Sequence, residues 1–99
     1  MTKTSGISNT KTTTKVPVPK KHKVVFYNDD YTPMLFVIEV LMVIFGHPES
    51  TAIDITEKIH KSGIGIAGEY PLEIAEQKAH ETIYQARRAQ FPLIVKVQE

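Results

Sequence analysis

The segment MLFVIEVLMVIF at residues 34–45 limits the possible folds more than any other part of the chain. Thr32 and Pro33 precede it and are typical of a helix start, so we expect Thr32 to cap a helix that Gly46 ends in the left-handed conformation. The helix is apolar nearly all round, with Glu39 as its only charge, and it is too short to span a bilayer. Either it is central and covered on several sides by the domain, or part of its surface serves a ligand or partner.

Patterns in the rest of the chain predict two more helices and three strands. Strand-forming runs occur at KVVFY, GIGIAG and FPLIVKV, and the glycines of GIGIAG favour the close approach of a helix or backbone. Helices begin at Pro48 and Pro71, and Gly63 ends the first of these two. The predicted order is β-α-α-β-α-β, which gives an α/β domain of the α+β type over residues 22–99.

The charge is distributed unevenly along the chain. The net charge of +1 combines five lysines and no acid in residues 1–22 with an excess of four acids in the remainder. Residues 1–21 contain few branched aliphatic side chains, so we expect a disordered basic tail, which VPVP keeps extended at its end. A ribosome- or nucleic-acid-associated module remains an alternative. The tail lacks the arginines and aromatic residues that read nucleic acid specifically, and we therefore expect no nucleic-acid partner.

Catalytic and metal-binding motifs are absent from the sequence. The chain has no cysteine, and its four histidines lack the spacing of a metal site, so we expect neither a metal nor another cofactor. Asp29 and Asp30 stand before a helix start, where carboxylates commonly meet the helix dipole. A small acid–base enzyme that uses Asp30 and His60 is the remaining catalytic alternative. The lack of a signal-like apolar segment favours a cytoplasmic protein without a membrane partner.

One set of motifs resembles a known family. KVVFYNDDYTPMLFVIEVL, a G-x-A-G strand, the helix LEIAEQKAHETIYQARR and a final PLIV strand are similar to the ClpS family of N-degron adaptors across residues 23–97. The resemblance implies three helices packed on a three-stranded antiparallel sheet, and a protein that is not an enzyme. It also implies two kinds of partner. These are substrate proteins that begin with Leu, Phe, Tyr or Trp, and a ClpA-type AAA+ unfoldase whose N-terminal domain receives them for degradation by ClpP.

The same resemblance implies roles for individual residues. By this match, Asn28 and His60 accept hydrogen bonds from the ammonium of the substrate, while Asp29 holds its first peptide units and Asp30 adds negative potential. An ammonium has three donors and no acceptor, so a cluster of acceptors suits it. The match also gives a side-chain pocket formed by Thr32, Pro33, Met34, Val37, Thr56, Ile59 and Leu93, and unfoldase docking through Glu73 and Lys78.

Thr56 departs from the pattern of the family. Where relatives commonly carry a second methionine on the pocket wall, this shorter side chain enlarges the wall or places a hydroxyl in it. We therefore expect relatively better acceptance of bulkier or hydroxyl-bearing N-terminal residues, since pocket changes of this size alter selectivity. Met34 matches the position that excludes β-branched side chains, and Leu35 stands where relatives often carry an acid.

Overall fold

The computed structural model describes residues 18–99 and confirms the predicted order of elements. The elements are β1 (Lys21–Tyr27), α1 (Met34–Val43), α2 (Glu49–Ser62), β2 (Ile64–Pro71), α3 (Leu72–Arg88) and β3 (Ile94–Gln98). The tail predicted for residues 1–21 lies outside the described residues except at its end, where Lys21 begins β1. Within residues 18–99, no helix has the length and apolar character needed to cross a membrane.

The three strands form an antiparallel sheet in which β1 lies between β2 and β3. Because β1 is paired on both edges, its apolar run is buried at Val24, Val25 and Phe26. The register shifts after Val24, which leaves Ala67 of β2 without an opposite residue on β1. The ring Nε2 of His47 donates a hydrogen bond to the Ala67 carbonyl, so the loop between α1 and α2 is fastened to this bulge.

The helices bury their apolar sides against the face of the sheet that carries Val24 and Phe26. Phe26 meets Phe45 edge to face, with the ring centroids 5.6 Å apart. Gly65 of β2 allows α2 to come close, because a Cβ atom at this position would lie 2.5 Å from the Ile59 side chain. The close approach predicted from the glycines of this strand is therefore confirmed at Gly65.

Each helix begins one residue later than predicted, because the proline before it stays extended. The ψ angles are 142°, 157° and 152° at Pro33, Pro48 and Pro71, which stand just outside their helices. The predicted capping role of Thr32 is wrong, since Pro33 stands at the cap position of α1 and no side chain caps this end. The Thr32 hydroxyl instead donates to Asp29 Oδ2 at 2.8 Å, and this charge-assisted bond holds Thr32 in the turn before α1.

Gly46 and Gly63 take the predicted left-handed conformation, and the predicted end of α2 at Gly63 is confirmed. Their φ angles are 73° and 87°. The regular part of α1 stops at Val43, earlier than the predicted end at Phe45, and an irregular turn continues to Gly46. The N–H of Gly46 donates to the Met42 carbonyl at 3.1 Å, so the turn still satisfies a carbonyl at the helix end.

The domain leaves part of α1 uncovered. Val37, Val40 and Leu41 are buried, whereas Leu35 is 69% exposed and Val43 is 81% exposed. Of the two alternatives for this helix, the structure favours the one in which apolar surface remains for a ligand or partner.

Candidate functional site

A small cavity lies where the end of β1, the start of α1, the end of α2 and the start of β3 meet. It is lined by Tyr27, Asn28, Asp29, Thr32, Met34, Val37, Thr56, Ile59, His60 and Leu93. It encloses about 20 Å³, which is roughly the space that one water molecule needs. Three segments that are distant in sequence, residues 27–37, residues 56–60 and Leu93, therefore build one site. A bulky side chain can enter it only when wall residues move.

Asn28 and His60 come together because two elements end side by side. The N–H of Asn28, directly after β1, donates to the carbonyl of Gly63 at 2.9 Å. Gly63 ends α2, whose last turn carries His60. Both side chains are exposed and line the cavity, so an amide oxygen and an imidazole nitrogen are accessible to a ligand at the same place.

Asp29 organises the turn between β1 and α1. Its Oδ1 accepts hydrogen bonds from the N–H groups of Tyr31 and Thr32 at 2.8 and 2.7 Å, and its Oδ2 accepts from the Thr32 hydroxyl. Burial acts to raise the pKa of Asp29, but these hydrogen bonds and the Arg87 guanidinium outweigh it and hold the pKa below its ordinary value. The carboxylate is therefore ionised at neutral pH and keeps lone pairs for a ligand.

Apolar side chains form much of the remaining wall. Val37 of α1, Ile59 of α2 and Leu93 before β3 are buried, so the surrounding structure fixes them. Met34, the first residue of α1, is 43% exposed. Its unbranched, flexible side chain makes it the most adaptable part of the wall.

Thr56 engages its hydroxyl within α2. The residue is 3% exposed, and Oγ1 donates to the carbonyl of Ala52, one turn earlier, at 2.8 Å. This is the usual bond of a threonine inside a helix, and it leaves no hydroxyl proton for the cavity. Of the two effects expected of Thr56, the structure favours a wider wall over a hydrogen-bond donor.

The structure brings together most of the residues predicted for the site. Asp30 and Pro33 are exposed and, in the part of the chain that the structure describes, do not line the cavity. The alternative acid–base pair of Asp30 and His60 is therefore not assembled there. Tyr27 lines the cavity and adds to the predicted set. The sequence feature that could have predicted Tyr27 as a lining residue is its position at the end of β1, directly before Asn28.

The two residues matched to unfoldase docking both lie on α3. Glu73 is exposed in the first turn of this helix. Lys78 is partly buried, and its Nζ donates to the Ile44 carbonyl at 2.8 Å and lies 5.2 Å from the centre of the Tyr70 ring. Its positive charge therefore stabilises the carbonyl end of α1. This intramolecular role of Lys78 has no signal in the local sequence.

The chemistry of the site is recognition by acceptors and apolar walls. Oxygen and nitrogen acceptors stand beside a cavity with aliphatic sides, which suits a ligand that carries both an ammonium and an apolar side chain. Among residues 18–99, no group of three His, Asp or Glu side chains is arranged to hold a metal ion.

Known proteins resemble the chain over most of its length. A family model described as ATP-dependent Clp protease adaptor protein ClpS matches residues 17–96. The ATP-dependent Clp protease adapter protein ClpS of Clostridium acetobutylicum is 46% identical over 91 residues, which cover 92% of this chain and 90% of that protein. The corresponding ClpS adapter of Lawsonia intracellularis is 44% identical over 85 residues, covering 86% and 78%. Among solved structures, Agrobacterium tumefaciens ClpS2 bound to L-phenylalaninamide has a TM-score of 0.78 and 36% identity, covering 82% of this chain and 98% of that one.

Proposed function

Because the chain belongs to the ClpS family of ATP-dependent Clp protease adaptors, we propose that it binds proteins by a bulky hydrophobic first residue and its free α-amino group. It delivers them, in the cytoplasm, to the N-terminal domain of a ClpA-type AAA+ unfoldase for degradation by ClpP. The observation that carries the proposal is the cavity, where the acceptors Asn28 and His60 stand beside apolar walls. The likeness to ClpS2 supports it, since phenylalaninamide has a free α-amino group and an aromatic side chain.

The first residue of a protein differs from every internal residue by its ammonium. We assign the acceptance of this group to the Asn28 amide oxygen and to a ring nitrogen of neutral His60, which line the cavity together. The ionised Asp29 carboxylate favours a cation nearby and can accept from the first peptide units with its remaining lone pairs. An internal residue offers a single N–H in place of three ammonium donors, and so it binds less well.

The side chain of the first residue enters the apolar part of the cavity. Since the cavity holds only about 20 Å³, entry of a Leu or Phe side chain requires the wall to move, and the partly exposed, flexible Met34 is best suited to do so. Burial of such a side chain contributes about 1.5 to 3 kcal/mol, and a hydrogen bond to a charged group about as much. After the cost of association and of moving the wall, we expect a dissociation constant of roughly micromolar size, which permits release to the unfoldase.

The requirement for a free amine provides the direct test. Fluorescence anisotropy compares a labelled peptide that begins with Phe and the same peptide with an acetylated N-terminus. We expect the acetylated peptide to bind at least about tenfold more weakly, because the acceptors lose a charged donor. Equal binding of the two peptides would contradict the proposal.

A pair of histidine variants tests the site itself. His60→Ala removes an acceptor at the cavity, whereas His80→Ala changes an exposed histidine of α3 that does not line it. We expect the first variant to lose about tenfold in affinity for the Phe peptide and the second to bind as the wild type does. The same loss in both variants would argue against an ammonium site at His60.

Delivery requires a second surface, which we assign to the exposed side of α3. Glu73 is exposed there, away from the cavity-lining residues, and Lys78 lies in the same helix. We expect Glu73→Ala to weaken binding of the unfoldase N-terminal domain without changing affinity for the Phe peptide. An unchanged affinity for that domain would remove Glu73 from the docking surface.

A further inference from the structure

The connector of residues 89–93 joins α3 to β3 through a turn that backbone hydrogen bonds define. The N–H of Phe91 donates to the Ala86 carbonyl at 2.8 Å, and the N–H of Gln90 donates to the Arg87 carbonyl at 3.0 Å. Gln90 has a φ of 64°, in the left-handed region. These are the hydrogen bonds of a Schellman helix end, with glutamine at the position where glycine is usual.

The side chain of Arg87 holds the same connector. Its Nη1 donates to the carbonyls of Phe91 and Leu93, each at 2.9 Å. The Phe91 ring packs edge to face on Phe36 of α1, with the ring centroids 5.1 Å apart. The backbone that presents Leu93 to the cavity is therefore held by a cation on its polar side and by an aromatic contact to the helix that begins at Met34.

Arg87 also acts on the polar side of the cavity. Burial acts to raise the pKa of Asp29, while the charge of Arg87 is one of the effects that lower it. One guanidinium thus acts on two residues that line the cavity. It holds Leu93 by a hydrogen bond to the Leu93 carbonyl, and its charge favours the ionised form of Asp29. The Arg87 side chain is exposed, so its contribution to the hydrophobic core is small.

We propose that Arg87 is a positioning residue of the pocket: by holding the connector, it sets where the Leu93 wall stands and which N-terminal side chains fit beside it. This inference rests on the proposed function, because it assigns Arg87 a part in recognition of the first residue. A lysine keeps the charge but holds the two carbonyls in a less fixed geometry than the planar guanidinium does.

The test compares the affinity ratio for two N-terminal side chains. Peptides that begin with Phe and with Leu are titrated into the full-length wild type, Arg87→Met and Arg88→Met. Arg88 is the matched control, since its guanidinium lies 5.8 Å from the centre of the exposed Tyr84 ring. We expect Arg87→Met to weaken both peptides unequally and to change their affinity ratio by about threefold or more, while Arg88→Met keeps the wild-type ratio.

Thermal unfolding of each variant separates positioning from stability. Loss of folded protein lowers both affinities by one factor and leaves their ratio unchanged. Arg87→Lys is expected to lie between the wild type and Arg87→Met, and it replaces the methionine variant if that protein does not fold. A wild-type ratio in the folded Arg87 variants would overturn the assignment. Failure of the wild type to distinguish free from acetylated peptides would instead overturn the proposed function.

Discussion

Thr56 shows how one side chain sets the width of a pocket wall. It is buried and uses its hydroxyl proton on the Ala52 carbonyl, so it presents a small surface to the cavity. The fixed neighbours Ile59 and Val37 cannot fill the space that a longer side chain would take. We therefore expect this position to influence selectivity among bulky first residues.

Thr56→Met is expected to shift the preference away from the largest side chains. The added thioether narrows the wall, so affinity for peptides that begin with Trp or Tyr falls relative to Leu by about 1 kcal/mol or more. Anisotropy titrations with the four peptides measure the ranking. Thr51→Met, which lengthens a side chain of α2 that does not line the cavity, is the control. An unchanged ranking in Thr56→Met would show that this wall does not decide selectivity.

The role of His60 predicts a dependence of binding on pH. A neutral imidazole can accept from the substrate ammonium, whereas an imidazolium repels it, so affinity should fall when acid protonates the ring. Asp29 does not produce this change, because its lowered pKa keeps it ionised in mild acid. His60→Gln retains an acceptor without a titrating group and should give a nearly flat profile. Parallel profiles for the two proteins would contradict acceptance by His60.

At the scale of elements, the turn that ends α3 carries backbone strain at Gln90 that a glycine there would remove. Gln90 has a φ of 64°, where a side chain costs about 1 kcal/mol or more, and the turn exists because Arg87 and the backbone hydrogen bonds hold it. Strain of this kind persists only where surrounding contacts specify the conformation, and here it adjoins the pocket wall.

Gln90→Gly is expected to raise the free energy of unfolding by about 1 kcal/mol, since glycine adopts positive φ without strain. Urea unfolding measures the change. Gln77→Gly, at an exposed position inside α3, is the matched control and should lower the free energy of unfolding by about the same amount. A loss of stability in Gln90→Gly would show that the glutamine side chain contributes more than the strain costs.

Local sequence patterns predicted the helices and strands well, because helix and strand formation depends largely on residues that are near one another in the sequence. Gly46 and Gly63 take the predicted positive φ, and Gly65 lies in a strand that α2 approaches closely. The apolar run at residues 34–45 forms α1, although its regular part stops at Val43. The three prolines marked the helix starts to within one residue, because proline suits both the first helical position and the extended residue before it.

Other features depend on contacts between distant segments and have no local signal. Lys78 reaches Ile44, and His47 reaches the Ala67 carbonyl that the bulge leaves without a strand partner. The size of the cavity depends on how three segments pack, so the resemblance to the ClpS family indicated most of its lining but not its small volume. The same resemblance, and no local pattern, indicated Asn28 and His60 as acceptors, whereas the hydrogen bonds of Arg87 to the connector appear only when the chain is folded.

At the scale of the whole molecule, positive charge is concentrated before the folded domain. The chain has five lysines and no acid in residues 1–22 and an excess of four acids after them. Lys20 pairs with Glu99 at 2.7 Å, so the described part of the chain is tied together at its two ends. In the part of the chain that the structure describes, the residues that line the cavity lie between Tyr27 and Leu93. We therefore expect binding to need no residue before β1.

Deletion of residues 1–17 is expected to separate binding from delivery. The truncated chain should bind the Phe peptide as the full chain does, because all cavity-lining residues remain. It should fail to drive degradation of a protein with N-terminal Phe by ClpA and ClpP, because we propose that the unfoldase engages the tail during hand-off of the substrate. Degradation is measured as loss of fluorescence of a tagged substrate. A full-length control with Lys3, Lys11 and Lys15 changed to serine distinguishes length from charge. A truncated chain that still drives degradation would refute a role of the tail in hand-off.

The near absence of open space in the cavity has a consequence for proteins that are not substrates. Because the cavity holds only about 20 Å³, little of its aliphatic lining is accessible until the wall moves. Nascent and heat-damaged polypeptides expose many apolar segments, and a cavity this small offers those segments little surface to bind. We therefore expect stable binding only of a chain terminus that supplies both an ammonium and a bulky side chain.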